Sequence, residues 1–204
     1  MLATEIEAKP FLKWAGGKRQ LLEQFELEYP VTLKNNEIKT YIEPFVGGGA
    51  VFFELTKHYN FEKIVLNDAN HELINTYKSV KNEVDAVIER LKEMEEEYLP
   101  LETESRKEIY YARRDKFNAE KKELNFNEFT KAHIEHAAKF IFLNRTCFNG
   151  LYRQNQSGEF NVPIGRYKNP TICNEENLIA VSKALENVIL TSGDFEKTEK
   201  YIED

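Results

Sequence analysis

Thr40-Tyr41-Ile42-Glu43-Pro44-Phe45-Val46-Gly47-Gly48-Gly49 is the stretch on which the fold turns. Its β-branched and aromatic residues read as a strand, and three consecutive glycines end it. An amphipathic run, residues 50–59, comes next, and Lys63-Ile64-Val65-Leu66-Asn67-Asp68 then reads as a short buried strand with its acid at the end. Strand, glycine turn, helix and strand within about 30 residues is the pattern of a βαβ unit, whose strands lie parallel. Val188-Ile189-Leu190-Thr191-Ser192-Gly193-Asp194-Phe195 supplies a third strand ending in a turn. The fold class expected is therefore α/β.

On the N-terminal side, Pro10-Phe11-Leu12-Lys13-Trp14-Ala15-Gly16-Gly17-Lys18-Arg19 is a glycine-containing loop that leads into a helix over 20–28. Between the second and third strands the spacing predicts one long charged helix over 73–97 and further helices over 105–118 and 127–144. Glutamates dominate 93–108. After Asn144 the periodicity stops, and 145–170, with three glycines and two prolines, has the composition of a loop or hairpin. No internal repeat is visible.

The 204 residues carry 28 Lys and Arg against 35 Asp and Glu, a net charge of −7. With 41% apolar residues, 14 Phe and 10 Tyr, the chain has ample material for a packed core, which excludes bulk disorder. No apolar run approaches the ~18 residues of a membrane span, and Met1-Leu2-Ala3-Thr4-Glu5 lacks the features of a secretory signal, so a cytoplasmic protein with no membrane partner is expected. Two distant cysteines, Cys147 and Cys173, exclude a disulfide scaffold. The acidic total argues weakly against nucleic acid. From Lys139 to Pro170, however, Lys139, Arg145, Arg153, Arg166 and Lys168 face a single acid, Glu159, among interleaved aromatics.

Gly47-Gly48-Gly49 lets backbone approach a bound nucleotide, and Asp68, 19 residues beyond Gly49, stands where a carboxylate can hold both hydroxyls of a ribose. That pairing suggests an adenosine-type ligand; a plain tight turn and a surface Asp is the alternative. The dinucleotide fingerprint fails at its last glycine, where Phe52 stands. Gly16-Gly17-Lys18 is no phosphate loop, since Arg19 replaces the Ser or Thr and Leu12 the first Gly. His133 and His136 lie three apart on a helix without a third ligand, so a structural role and no metal are expected. His58 and His71 read as surface residues, and Cys147 as a small packed one.

The motifs together resemble the Dam-like adenine-N6 DNA methyltransferases. Phe11-Leu12-Lys13-Trp14-Ala15-Gly16-Gly17-Lys18 and Glu43-Pro44-Phe45-Val46-Gly47-Gly48-Gly49 carry the likeness, with Phe148-Asn149-Gly150-Leu151-Tyr152-Arg153 and residues 158–168 in the family's order. The resemblance implies a Rossmann-like S-adenosylmethionine-dependent fold, of which this chain holds the N-terminal half-sheet, and duplex DNA as substrate, with GATC the commonest target. It implies a cofactor-binding core in two parts, 1–78 and 176–204, and an inserted target-recognition region of helices and a hairpin, 79–175. Trp14, Lys18, Phe45, Gly47, Gly49, Asp68, Asp194 and Phe195 match cofactor-binding positions. Lys18 would pair with the cofactor's carboxylate, Asp68 would hold the ribose, and Asp194 with Phe195 would read the adenine. Lys13, Phe148, Asn149, Leu151, Arg153, Pro163, Arg166, Tyr167 and Lys168 match DNA-binding positions. Phe148 would wedge the base stack, Leu151 and Arg153 would read base edges, Pro163 would touch a thymine methyl, and Arg166 and Lys168 would hold phosphates.

One family feature is missing. Family members transfer the methyl group at an Asp-Pro-Pro-Tyr sequence, whereas the prolines here, Pro10, Pro30, Pro44, Pro100, Pro163 and Pro170, are nowhere adjacent. The expectation is a fragment of a longer, monomeric enzyme of restriction–modification or regulatory type, with no catalytic residue in this chain and no activity alone. A natural DNA-binding or accessory subunit is the alternative, and a Rossmann-type oxidoreductase a more distant one.

Overall fold

The computed structural model describes residues 6–202. Its sheet has three parallel strands in the order β1 (Thr40–Glu43), β2 (Lys63–Asp68) and β3 (Val188–Ser192). Thr40 lies opposite Lys63 and Glu43 opposite Leu66; Ile64 lies opposite Val188 and Asp68 opposite Ser192. This register brings the C-terminal ends of all three strands to one rim, where ligands of open parallel sheets bind. β2 is central and its Val65 and Leu66 are fully buried, which is why an unbroken apolar run marked it in the sequence. β1 ends at Glu43 rather than continuing to Val46, because Pro44 cannot donate to a ladder.

The helices are α1 (Leu22–Glu28), the short α2 (Val31–Lys34), α3 (Ala50–His58), α4 (His71–Asn82), α5 (Val84–Tyr98), α6 (Thr103–Lys121), α7 (Lys131–Thr146) and α8 (Glu175–Leu185). A 3-10 turn over Lys18–Leu21 precedes α1, so that helix starts later than the expected 20–28. The single helix expected over 73–97 is two. Glu83 leaves the helical region (φ −142°, ψ 45°), and its backbone N–H closes α4 on Ser79 while its carbonyl opens α5. Neither proline nor glycine marks that break. α4 and α5 each bury an apolar stripe, and both pack on α7, which is buried almost all round.

α4 begins with an N-cap: the Asn70 side chain accepts from Leu73 N–H at 3.0 Å. α7 begins with a reciprocal cap in which Thr130 N–H donates to His133 Nδ1 at 3.1 Å. His133 is thus structural, its Nε2 donating to Asn125 carbonyl at 3.1 Å. A single apolar core runs from Phe11 through α3–α7 to Val188 and includes Phe160 and Val162 of the irregular segment. α4 runs unbroken through position 78, where the expected core and insert would divide. Among the described residues no helix is long and apolar enough to cross a membrane, and no group of His, Cys, Asp and Glu is disposed to hold a metal.

Candidate functional site

Asn67 builds the rim. Fully buried at the end of β2, its Nδ2 donates to Pro44 carbonyl at 3.1 Å and Gly193 carbonyl at 3.0 Å, while Thr191 Oγ1 donates to its Oδ1 at 2.8 Å. One amide thereby pins the chain after β1 to the chain after β3. The neighbouring Asp68 carboxylate accepts from Gly47 N–H at 3.0 Å through one oxygen and from Asn70 N–H at 3.0 Å through the other. Each oxygen keeps a further lone pair. Gly47 has φ 50°, and a Cβ there would lie 2.9 Å from Trp14 Cδ1, so glycine is required for Trp14 to lie against the turn.

Phe45 and Phe195 stand on either side of this rim, 61% and 49% exposed, with ring centroids 5.8 Å apart. The two ring planes are tilted 43° to each other, so the pair makes an exposed apolar patch against which a flat heteroaromatic group can lie. Asp194, also exposed, caps the 3-10 turn Phe195–Tyr201 by accepting from Glu196 N–H at 3.0 Å. Between the loop 14–18 and the glycine turn lies a cleft of about 210 Å³ lined by Trp14, Lys18, Glu43, Phe45, Gly47 and Asp68 among others. Lys18 Nζ is held 3.3 Å from Glu43, a nearly buried carboxylate that also accepts from Tyr41 hydroxyl at 2.8 Å. Burial pushes Glu43 above the ordinary carboxyl value despite those two donors.

The irregular segment folds back on itself as the hairpin composition suggested, though with two isolated antiparallel bridges, Cys147–Ile164 and Gln154–Phe160, in place of regular strands. α6 anchors it: Tyr110 hydroxyl donates to Val162 carbonyl at 2.8 Å, and Asn118 exchanges two bonds with the Phe160 backbone. Phe148 (49% exposed), Asn149, Arg153, Pro163, Arg166 and Lys168 are exposed, while Leu151 and Tyr167 are half-buried. Asn144 ties this segment to the loop before Trp14: its amide accepts from Lys13 N–H at 2.9 Å and donates to Lys13 and Gly150 carbonyls. Lys13 Nζ lies over the Tyr167 ring at 4.4 Å. Lys13 and Trp14 thus link the cleft to the exposed segment, Trp14 also stacking on Tyr152 with centroids 5.3 Å apart, while Gly47 and Gly49 are buried.

The positive charge is arranged differently from the sequence expectation. Lys139 is buried and paired with Glu120 at 3.1 Å, so it adds nothing to the surface. Lys9, Lys13, Arg19, Lys57 and Arg145 instead line a cavity of about 790 Å³ beside the 14–17 loop, with Glu54 as its acid. Burial lowers the Arg145 guanidinium from its ordinary value. Cys147 is fully buried, and burial pushes its thiol up to about 11, as a packed and unreactive residue requires. His58 and His71 are exposed, His71 hydrogen-bonded to Ser192 Oγ at 2.9 Å.

Residues 14–204 match the family described as D12 class N6 adenine-specific DNA methyltransferase. The chain belongs to that family. Type II methyltransferase M.MjaIII of Methanocaldococcus jannaschii is 52% identical over 198 residues, 97% of this chain and 66% of that protein. Type II methyltransferase M1.LlaDCHI of Lactococcus lactis is 40% identical over 207 residues, 98% of this chain and 63% of the relative. The DNA adenine methylase of Haemophilus influenzae is 38% identical over 197 residues, 97% and 60%. This D12 chain thus spans about three fifths to two thirds of these relatives' length. Sequence reading missed the two amides that assemble the candidate site, Asn67 and Asn144. A polar residue inside the apolar run 63–68 was the available sign for the first; nothing local marked the second.

Proposed function

We propose that this chain forms the cofactor-binding and target-recognition part of an enzyme that transfers a methyl group from S-adenosylmethionine to N6 of adenine in duplex DNA, with GATC as target and base flipping as the means of access. The observation that carries this reading is the continuity of the rim, with Phe45, Asp68 and Phe195, and the exposed segment 148–168, through Trp14 and Lys13. The rim residues fit the cofactor: Asp68 has lone pairs for ribose hydroxyls, and the exposed rings of Phe45 and Phe195 offer an apolar surface for an adenine. S-adenosylmethionine, when bound, supplies an electrophilic methyl group. Asp194 would accept from the adenine amino group, Lys18 would pair with the carboxylate end, and Gly47 and Gly49 would admit the backbone close to the ligand.

On the DNA side, Phe148 would enter the base stack, Leu151, Arg153 and Pro163 would meet base edges, and Lys13 an outer base. Arg166 and Lys168 would hold phosphates. We divide the chain into a core of 1–78 and 176–204 and a recognition insert of 79–175, sharing α4. No residue of this chain is assigned to the chemical step, and the chain alone is expected to transfer no methyl group.

Titration with S-adenosylhomocysteine and with GATC duplexes tests the reading. The wild-type chain should bind the cofactor product and prefer GATC over a duplex with one base pair changed. Asp68→Asn should weaken the product at least about tenfold by removing a charged acceptor. Arg153→Ala should cut the preference about tenfold while sparing affinity for the altered duplex. A chain that binds neither ligand would overturn the reading, and equal loss on both duplexes would make Arg153 a phosphate contact.

A further inference from the structure

Glu72, in the first turn of α4, is 2% exposed and lines neither the cleft nor the DNA-facing surface. Its Oε2 accepts from Lys121 Nζ at 2.8 Å, from Gln154 Nε2 at 2.9 Å and from Tyr152 hydroxyl; Oε1 lies 3.4 Å from His136 Nε2. Burial alone would raise this carboxyl, but the donors His136, Lys121 and Tyr152 outweigh it and hold Glu72 below the ordinary value. Desolvating a carboxylate is costly, and an apolar residue of similar volume would pack such a spot without that penalty. The group therefore calls for a role that packing does not fill.

Two observations identify what it positions. Tyr152 and Gln154 both direct their polar atoms to Glu72, while Arg153 between them is exposed and bonded through Nε to Asn161 at 2.9 Å. Alternation along an extended stretch sends the middle side chain away from the two that are anchored. The Tyr152 ring also stacks on Trp14, with centroids 5.3 Å apart and planes 16° apart. Trp14 is the residue that Gly47 leaves room for in the cofactor cleft.

We infer that Glu72 is a positioning residue for base reading: by fixing Tyr152 and Gln154 it presents Arg153 outward, and the Tyr152–Trp14 stack ties that presentation to the cleft. This rests on the function proposed above. Lys121 extends the same control, since its Nζ also donates to Gly158 carbonyl at 2.8 Å at the tip of the folded-back segment.

The test uses the 204-residue chain and the double substitution Tyr152→Phe, Gln154→Leu, which leaves Glu72 paired with Lys121 and His136. Binding is measured to a GATC duplex and to one with a single base pair changed, both with S-adenosylhomocysteine present. Emission of Trp14, the chain's one tryptophan, is followed alongside. The expected result is a preference for GATC reduced about tenfold, as for the loss of a base-reading pair. Affinity for S-adenosylhomocysteine should stay within about twofold. The wild type should show a Trp14 emission change on adding the GATC duplex, and the double variant should not. If the double variant does not fold, Tyr152→Phe alone should move the same readings in the same direction. A preference kept at its wild-type value, or equal weakening on both duplexes, would overturn the role of Glu72 and leave the function reading intact. A wild type that binds neither duplex nor S-adenosylhomocysteine would overturn both.

Discussion

Glu43 is 5% exposed and shares its carboxylate between Tyr41 and Lys18, yet its affinity for a proton is raised in the folded protein. A raised carboxyl means that the ionised form costs folding free energy at neutral pH, and that this cost fades as pH falls through the folded pKa. Lys18 offsets little of it, because its side chain is 40% exposed and screened by water. Glu43→Gln keeps an acceptor for the Tyr41 hydroxyl and removes the charge. The variant should melt higher at pH 7 by about 2–4 °C, the effect of roughly 1 kcal/mol in a chain of this size. The gap should close in acid, and melting curves of both proteins across pH check it. A lower melting temperature at pH 7 would show that the Lys18 pair outweighs burial. Glu72 has the opposite sign. Its lowered pKa stabilises the fold above the ordinary carboxyl range, and that contribution is lost as pH falls through the folded value. Neither behaviour was legible in the sequence, where Glu43 was part of a motif and Glu72 one acid among many. The partners that decide it, Tyr152 and Lys121, lie 80 and 49 positions away from Glu72.

The turn that carries the exposed segment 148–168 out of α7 shows what a single backbone conformation contributes to an element. Asn149 and Gly150 are both left-handed, at φ 54° and 62°, and a Cβ on Gly150 would sit 2.6 Å from Lys13 Cβ. Gly150→Ala therefore meets left-handed strain of about 1–2 kcal/mol and must also displace Lys13. Duplex affinity should fall several-fold with a lowered melting temperature, while S-adenosylhomocysteine affinity stays within about twofold, since the cleft side of the loop is untouched. Loss of both affinities together would mean that the Lys13 loop moves as one piece with the cleft. Element boundaries were legible where composition changes sharply. β2 runs from Lys63 to Asp68 as the apolar run indicated, because a buried central strand needs an unbroken one. The α4–α5 break at Glu83 was not legible, because Lys81-Asn82-Glu83-Val84 holds no helix breaker and the bend serves packing on α7. α8 went unread, although Asn174 ahead of Glu175 and Glu176 marks its cap.

At the scale of the molecule, the net charge of −7 and a DNA-facing role are compatible because the charges are segregated. Lys13, Arg145 and Arg19 gather beside the 14–17 loop, and Arg153, Arg166 and Lys168 lie on the exposed segment, while α5 carries six acids against two bases. The same core holds both halves together, so cofactor and duplex binding should be found in one folded unit. Methyl transfer is a separate matter, and the chemistry of the rim decides it. Making N6 of adenine nucleophilic toward a sulfonium methyl calls for acceptors that take the amino hydrogens and turn the lone pair toward the methyl group. The described rim offers three carboxylates, of which Glu43 is nearly buried and already taken by the Tyr41 hydroxyl and Lys18. Asp68 is already held by Gly47 and Asn70 N–H groups, and its remaining lone pairs suit the ribose. Asp194 accepts from Glu196 N–H and adjoins Phe195 of the exposed Phe45–Phe195 pair, against which the cofactor's own adenine would lie. No Asp-Pro-Pro-Tyr sequence is present to supply a further pair. The chain alone, incubated with methyl-labelled S-adenosylmethionine and GATC duplexes, should therefore leave the DNA unlabelled while still binding both. Label in the DNA above a no-protein control would show that Asp68 or Asp194 has been assigned to the wrong partner, and Asp68→Asn and Asp194→Asn would then tell which carboxylate accepts the target amino group.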